Sequence, residues 1–367
     1  PSPQSDLAGE LVSLVGGVNP LVSRAQELAE NGMMPDALIR LGIRRLCRER
    51  LESASKLGVD GVEDHHQKWV EKLLSSPIAL VPDKANEQHY EVPPEFFEYV
   101  LGKNLKYSSG YWPEGVISLD QSEDSMLEHT FGRLEIEDGM DVLELGCGWG
   151  SLTCYMAERL PNSKIVAVSN SKDQREYINT RCKENGFDNV KVITADMNDF
   201  SIDQKFDRVV SVEMFEHMRN YDQLLKKVSG FLRKNGKLFV HIFSHRTLVY
   251  PFEDNGPGDW MAREFFSGGI MPSHRLLLHF QNDLKIDKVW RFSGVHYSKT
   301  SWAWLEKMDQ NKDEIMKIFS TTYGSQNAKT WWQRWRIFFM SCAELFGMDR
   351  GSEWGVSHYL FIKRGES

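Results

Sequence analysis

The sequence predicts an α/β fold of Rossmann-like design, built on a mostly parallel central sheet. Three observations carry that prediction. Residues 141–150 read DVLELGCGWG, an apolar strand running into Gly146, Gly148 and Gly150 with a helical pattern directly behind. Short β-rich runs then alternate with longer helical patterns, which indicates parallel strands with both faces covered. Finally, 367 residues suffice to bury a large core, as one elaborated domain or two modest ones.

Taken in order, residues 1–20 read as loose. Residues 22–56 are helical in two segments split at GMMP, 32–35. Leu38, Leu41, Leu46 and Leu51 form an apolar stripe beside Arg44, Arg45, Arg48 and Arg50, an arginine face expected to be solvated or salt-bridged. Residues 58–64 read as a linker and 65–75 as a short helix ended by Pro77 and Pro82. The stretch 86–113 mixes prolines, glycines and aromatics and is too aromatic for an exposed linker. It is either a strap joining two layers or a segment lining a cofactor mouth. Residues 119–134 are a helix with Asp120 as N-cap and Glu123 three residues on.

Strands are expected at 141–145, 165–168, 190–193, 208–212 and 237–242, separated by helices at 151–160, 172–185 and 221–232. Residues 244–282 break the regularity with Gly256, Gly258, Gly268 and Gly269 beside Trp260, Phe265 and Phe266, and read as an insertion or lid. A strand at 284–292, helices at 301–319 and 329–346, and an edge or penultimate strand at 358–362 close the chain. The expected units are a helical extension (1–85), a cofactor-covering aromatic segment (86–118), a core (119–243), a lid (244–282) and a C-terminal part that completes core and substrate pocket (283–367).

Composition narrows the function. A net charge of −8 disfavours a nucleic-acid partner despite the basic run at 40–50. No apolar stretch reaches membrane-spanning length, and PSPQSDLAGE is not a signal peptide. The five cysteines (Cys47, Cys147, Cys154, Cys182, Cys342) lack C-x-x-C spacing, so a reducing, cytoplasmic setting is expected and no metal site. Whether the chain forms a homodimer stays open.

Three glycines between strand and helix let the backbone turn and approach a ligand closely, although such a loop also serves as a plain tight turn. The G-x-G-x-x-G of a dinucleotide binder is absent, because Ser151 stands at its third glycine. Asp196 and Met197, after the third strand, suit the amine and ring of a nucleobase. Where an acid would clasp a ribose, the chain has Ser169, Asn170 and Ser171, with Gln174 beyond. They hydrogen-bond a diol without adding negative charge, which suits a positively charged cofactor. The fourth strand ends in VEMFEHM, with Glu213, Glu216 and His217. A helical turn there would put both carboxylates on one face; the alternative is a solvated charge cluster. Carboxylates gather an ammonium but raise its pKa, so a base must take its proton. His217 is the expected base, with Glu216 as partner or alternative and His241 in reserve. Aromatic segments around Tyr111 and Trp112, at 260–266 and at 331–335 could wall the pocket, although the tryptophans of 331–335 are read first as packing.

The segments HYEVPPEFF, LKYSSGYW, VLELGCGWGSLT, VAVSNSKDQREYI, SVEMFEHMRNY, GKLFVHIFSHRT, FFSGGIMPS, HYSKTSWAWL and CAELFGM resemble the cyclopropane fatty acid synthase-like methyltransferases that use S-adenosylmethionine. Within that group they are most similar to plant coclaurine-type alkaloid N-methyltransferases. The resemblance implies an S-adenosylmethionine-dependent methyltransferase fold. It further implies cofactor contacts from Tyr107, Ser108, Gly146, Cys147, Gly148, Gly150, Ser169, Asn170, Gln174, Asp196 and Met197. Glu213, Glu216 and His217 would face a small-molecule amine. In the lipid-modifying branch a bicarbonate base is held by residues matching Ser109, Glu216, His241 and Tyr297. There a cysteine replaces Ser109 and a small residue replaces Glu213. The extra charge of Glu213 would repel bicarbonate and attract an ammonium, which weighs against cyclopropane or methyl transfer to a lipid, the alternative expectation.

Overall fold

The computed structural model describes residues 20–80, 92–256 and 259–365. The expectations for residues 1–19, for Pro82 and for the start of the 86–113 stretch lie outside these. The strands are β1 (Val142–Leu145), β2 (Ile165–Ser169), β3 (Val190–Thr194), β4 (Phe206–Val212), β5 (Leu232–His245), β6 (Tyr250–Pro251), β7 (Ile270–Met271), β8 (Leu284–Ser293) and β9 (Trp354–Lys363). Seven form one sheet in the order β3-β2-β1-β4-β5-β9-β8, and β6 pairs with β7. β1 through β5 pair in parallel, while β9 runs antiparallel to both β5 and β8. β1 and β2 are buried along their whole length, as continuous apolar runs in a doubly covered sheet should be. The chain builds outward from β1 to β3, then returns to β4 on the other side of β1. A crevice therefore opens at the carboxyl ends of β1 and β4, where a ligand belongs.

The sheet departs from expectation at two strands. β5 begins at Leu232 rather than 237 and ends at His245. Pairing with β4 jumps from Phe206–Leu232 to Arg208–Lys237. The Asn235-Gly236 stop signal loops out within the strand, with Asn235 at φ +63°. β9 starts at Trp354 and takes the penultimate place, between β5 and β8.

Several helices also differ. Residues 58–64 are not a linker, because Gly58 (φ +64°) turns the chain and Gly58–Leu74 is one helix. Its buried side, His66, Trp69, Val70 and Leu73, has the i, i+3, i+4, i+7 spacing of a packed helix. The helix Leu119–Arg133 is capped by Ser118, whose hydroxyl accepts from the Gln121 amide. Asp120 and Glu123 reach the strap instead. Asp120 accepts the Lys103 amide, and Glu123 accepts those of Gly102, Asn104 and Lys106, which pins the strap at 102–106. The stretch at 301–319 belongs to two helices, Gly294–Gln310 and Lys312–Tyr323, parted at Asn311. The arginine face of helix Asp36–Ser55 is in part salt-bridged, with Arg40 and Arg44 both reaching Glu344 on helix Ala328–Gly347.

Candidate active site

β1 delivers the glycine loop into the crevice. Gly146 (φ +80°) is required twice over, because a Cβ there would also lie 2.7 Å from that of Met214. Gly150 (φ +81°) has a different task. It heads the helix Ser151–Arg159, a Cβ there would meet Ile178 at 2.8 Å, and it does not line the cleft. The other ten expected cofactor residues (Tyr107, Ser108, Gly146, Cys147, Gly148, Ser169, Asn170, Gln174, Asp196 and Met197) all line one cleft. Ser169 donates its hydroxyl to Gln174 Oε1 at 2.6 Å, and Asp196 accepts the Asn198 amide at 2.7 Å. The buried Gln174 Nε2 and Ser151 Oγ, both lining the cleft, have no partner among the described residues. Buried polar atoms left so cost free energy until a ligand pairs with them. Lys106, which the sequence reading missed, also lines the cleft. It is buried, burial lowers its pKa to about 8, and it donates to Ser108 Oγ and the Ser109 carbonyl.

The acidic corner forms where β4 ends. Glu213 sits at φ +48°, a backbone conformation costly for a residue with a side chain, and a single 3₁₀ turn, Phe215–His217, follows. The expected helical turn therefore begins beyond Glu213. The Glu213 carboxylate is held by three donors: the Ser109 amide (3.0 Å), His241 Nε2 (3.0 Å) and the Tyr297 hydroxyl (2.6 Å). Burial opposes its charge, but His241, Lys106 and Tyr297 outweigh burial and hold its pKa below the usual carboxylate range. Glu216 is the opposite case. It is fully buried, no side-chain donor among the described residues reaches its oxygens, and burial together with the Glu213 charge pushes its pKa well up. The two environments push the pair's pKa values apart, favouring the charge on Glu213 and the neutral form of Glu216. His217 packs its ring on Phe266, centroids 4.5 Å apart, and burial pushes its pKa down to about 4. It is a neutral imidazole at pH 7. His241 is fully buried behind Glu213 and faces neither the cleft nor the cavity described next.

A second cavity adjoins the cleft. Glu213, Glu216 and His217 all line it, with Tyr297 and an apolar wall of Phe243, Phe252, Met261, Phe266, Met271, Trp304, Phe338, Leu345 and Phe346. Tyr107, Glu213 and His217 border both spaces. The expected wall is corrected in part. Phe266 and Met261 of 260–266 contribute, but Tyr111, Trp112, Trp331, Trp332 and Trp335 do not. Trp112 donates to Thr300, and Trp335 is fully buried against Phe96, Phe97 and Phe265. The last helix instead lines the cavity one to three turns later, through Phe338, Cys342, Leu345 and Phe346. The CAELFGM segment carried that signal; the tryptophans belong to the core.

Among the described residues no cluster of metal-ligating side chains forms, and no helix is long and apolar enough to cross a membrane. Residues 81–352 match the mycolic acid cyclopropane synthetase family. The chain is 37% identical to (S)-coclaurine N-methyltransferase of Thalictrum flavum subsp. glaucum, over 91% of this chain and 94% of that one. It is 36% identical to the Papaver somniferum enzyme of the same name, over 92% and 98%. A crystal structure of coclaurine N-methyltransferase bound to N-methylheliamine and SAH superposes with a TM-score of 0.89 at 35% identity, covering 93% of this chain and 99% of that one. The cyclopropane synthase MmaA2 from Mycobacterium tuberculosis, at 21% identity and a TM-score of 0.66, shares the fold. The chain belongs to the mycolic acid cyclopropane synthetase family, and within it is an S-adenosylmethionine-dependent N-methyltransferase.

Proposed function

We propose that the substrate is a hydrophobic aromatic alkaloid amine of benzylisoquinoline, pavine, protoberberine or phenylalkylamine type, methylated on nitrogen. One observation carries the reading. The cleft and the aromatic cavity meet at Tyr107, Glu213 and His217, so an amine in the cavity reaches the cleft only past a fixed negative charge and a neutral imidazole.

The cleft suits S-adenosylmethionine, because its unpaired Gln174 and Ser151 groups and its side-chain-free approach at Gly146 await a polar ligand. Tyr107, Ser108, Gly146, Cys147, Gly148, Ser169, Asn170, Gln174, Asp196 and Met197 would hold it, with Gly150 supporting the loop from behind. When bound, it supplies an electrophilic sulfonium methyl. The strap carrying Tyr107 would cover the cofactor, and residues 244–282 would act as the substrate lid, since Phe252, Met261, Phe266 and Met271 come from them. Glu213 gathers the substrate ammonium by charge. His217, neutral at the junction, takes the proton and so exposes the nitrogen lone pair. The apolar wall holds the ring system and excludes water, so that nitrogen is presented at the ~3–3.5 Å of a near-attack geometry. Glu216, protonated, adds polarity to the cavity without a second charge.

The lipid-modifying alternative requires a bicarbonate. Two of the side chains expected to bind it, His241 and Tyr297, donate to the Glu213 carboxylate, as does the Ser109 amide. The Ser109 hydroxyl donates to the Gly110 carbonyl. A carboxylate of the chain itself thus takes up these donors, and its charge repels a second anion. The deciding experiment presents labelled S-adenosylmethionine with an amine panel and with phospholipid vesicles, with and without bicarbonate. The expected result is transfer to amines at a rate independent of bicarbonate. Bicarbonate-dependent transfer to lipid would reverse the assignment.

The loop makes a separate prediction. Gly146→Ala forces a side chain into a left-handed conformation, at about 1–2 kcal/mol, and against Met214. Affinity for S-adenosylhomocysteine, measured by calorimetry, should fall at least about tenfold. An unchanged affinity would place the cofactor elsewhere.

A further inference from the structure

Behind Glu213 a line of hydrogen bonds runs through the sheet to its covering helix. Arg133, the last residue of helix Leu119–Arg133, donates from Nη1 to His358 Nδ1 at 2.9 Å. His358 Nε2 lies 2.8 Å from His241 Nδ1, and His241 Nε2 lies 3.0 Å from Glu213 Oε1. Sheet register builds the line, because His241 on β5 is directly opposite His358 on β9, and Trp290 on β8 is opposite His358 in turn. The Arg133 guanidinium lies over the rings of Trp290 and Phe292, 4.7 and 4.6 Å from their centroids. Both histidines are wholly buried.

The line has a direction. A guanidinium donates and never accepts, so His358 Nδ1 must offer a lone pair. A neutral His358 then carries its proton on Nε2 and donates to His241 Nδ1. His241 in turn carries its proton on Nε2 and donates to Glu213. Burial lowers the pKa of both rings, which keeps them neutral.

We propose that Arg133 and His358 are positioning residues that lock His241 in its Nε2–H tautomer, making it a permanent donor that keeps Glu213 anionic. In that state His241 has no lone pair to offer a substrate proton, which removes it from the candidate bases. The inference rests on the reading of Glu213 as counter-charge to the amine. The other groups near Glu213 are Lys106, Glu216, His217, Tyr297 and Cys342, and those near His358 include Lys106 and His129. None of these lies between the two imidazoles.

The test uses the full chain, with His358→Phe, His358→Gln and Arg133→Met. Glutamine can accept from Arg133 and donate to His241 and so preserves the direction; phenylalanine cannot. Nitrogen-15 NMR of histidine-labelled protein, assigned by the signals lost in His241→Gln, should show His241 protonated on Nε2 in the wild type and in His358→Gln. In His358→Phe, Nδ1 loses its donor and a fraction protonated on Nδ1 should appear against the pull of the Glu213 carboxylate, leaving a lone pair facing it in that fraction. The Glu213 pKa then rises. Affinity for a quaternary ammonium compound, whose charge does not titrate, should begin to fall with decreasing pH about one unit higher than in the wild type, the size of one hydrogen bond to a charged group. Arg133→Met should shift it the same way by less, and S-adenosylhomocysteine affinity reports that the fold is intact. A wild-type His241 protonated on Nδ1, or equal shifts in the Phe and Gln variants, would overturn the lock. If the wild type ignores the ammonium probe while binding S-adenosylhomocysteine, the amine reading fails, and the NMR readout still decides the tautomer.

Discussion

Glu213→Gln should weaken binding of a protonated or quaternary amine by about 10²–10³-fold, while affinity for S-adenosylhomocysteine changes only a few-fold. A unit charge about 4 Å from an ammonium, at the effective dielectric of a partly buried site, contributes about 4 kcal/mol, less what residual solvent screens. The substitution also mismatches its surroundings. Three donors converge on the two carboxylate oxygens, and a glutamine can offer acceptors to only one side. Its NH₂ must face Tyr297 or the Ser109–His241 pair, leaving a buried donor unpaired at about 1–3 kcal/mol. A modest loss of thermal stability should therefore accompany the loss of amine affinity. Calorimetric titration with amine and with S-adenosylhomocysteine separates the two effects. Equal amine affinity in variant and wild type would remove Glu213 from the substrate site.

How much of this was legible in the sequence differs from part to part. The alternation of strands and helices and the glycine loop placed the cleft, because apolar runs and strand-to-helix glycines are local signals. The 213–217 cluster was legible as chemistry but not as geometry. Nothing local says that Glu213 takes a left-handed conformation, since its position is imposed by donors 28, 84 and 104 residues away. The start of β5 at Leu232 was hidden because the Asn235-Gly236 turn, which does form, loops out within a strand that pairs with β4 on both sides of it. The aromatic wall stayed open between cavity and packing for a related reason. Tryptophans announce burial, yet cannot say whether they face a core or a cavity, and Trp335 faces the core. The roles of Arg133 and His358 were invisible, as they exist only through the register of β5, β9 and β8.

The identity of the base yields the second large effect, through a comparison of two variants. His217→Ala should lower kcat by about 10²–10⁴-fold, the usual contribution of a positioned general base, with little change in cofactor affinity. Glu216→Gln should cost far less. With its pKa pushed down to about 4 by burial, His217 is unprotonated throughout the neutral range but a weak base, so its taking the proton depends on the Glu213 charge, which favours the imidazolium. Burial and the Glu213 charge favour the protonated form of Glu216, which makes it a poor acceptor for the amine's proton, and glutamine reproduces that neutral, hydrogen-bonding form. The order also follows from position, since His217 borders both cleft and cavity whereas Glu216 borders the cavity alone. Steady-state kcat and KM on one good amine, above and below the substrate's own pKa, separate proton removal from binding. If Glu216→Gln falls as far in kcat as His217→Ala, the amine's arrival must displace the proton from Glu216. The base would then be the carboxylate that the free enzyme holds neutral.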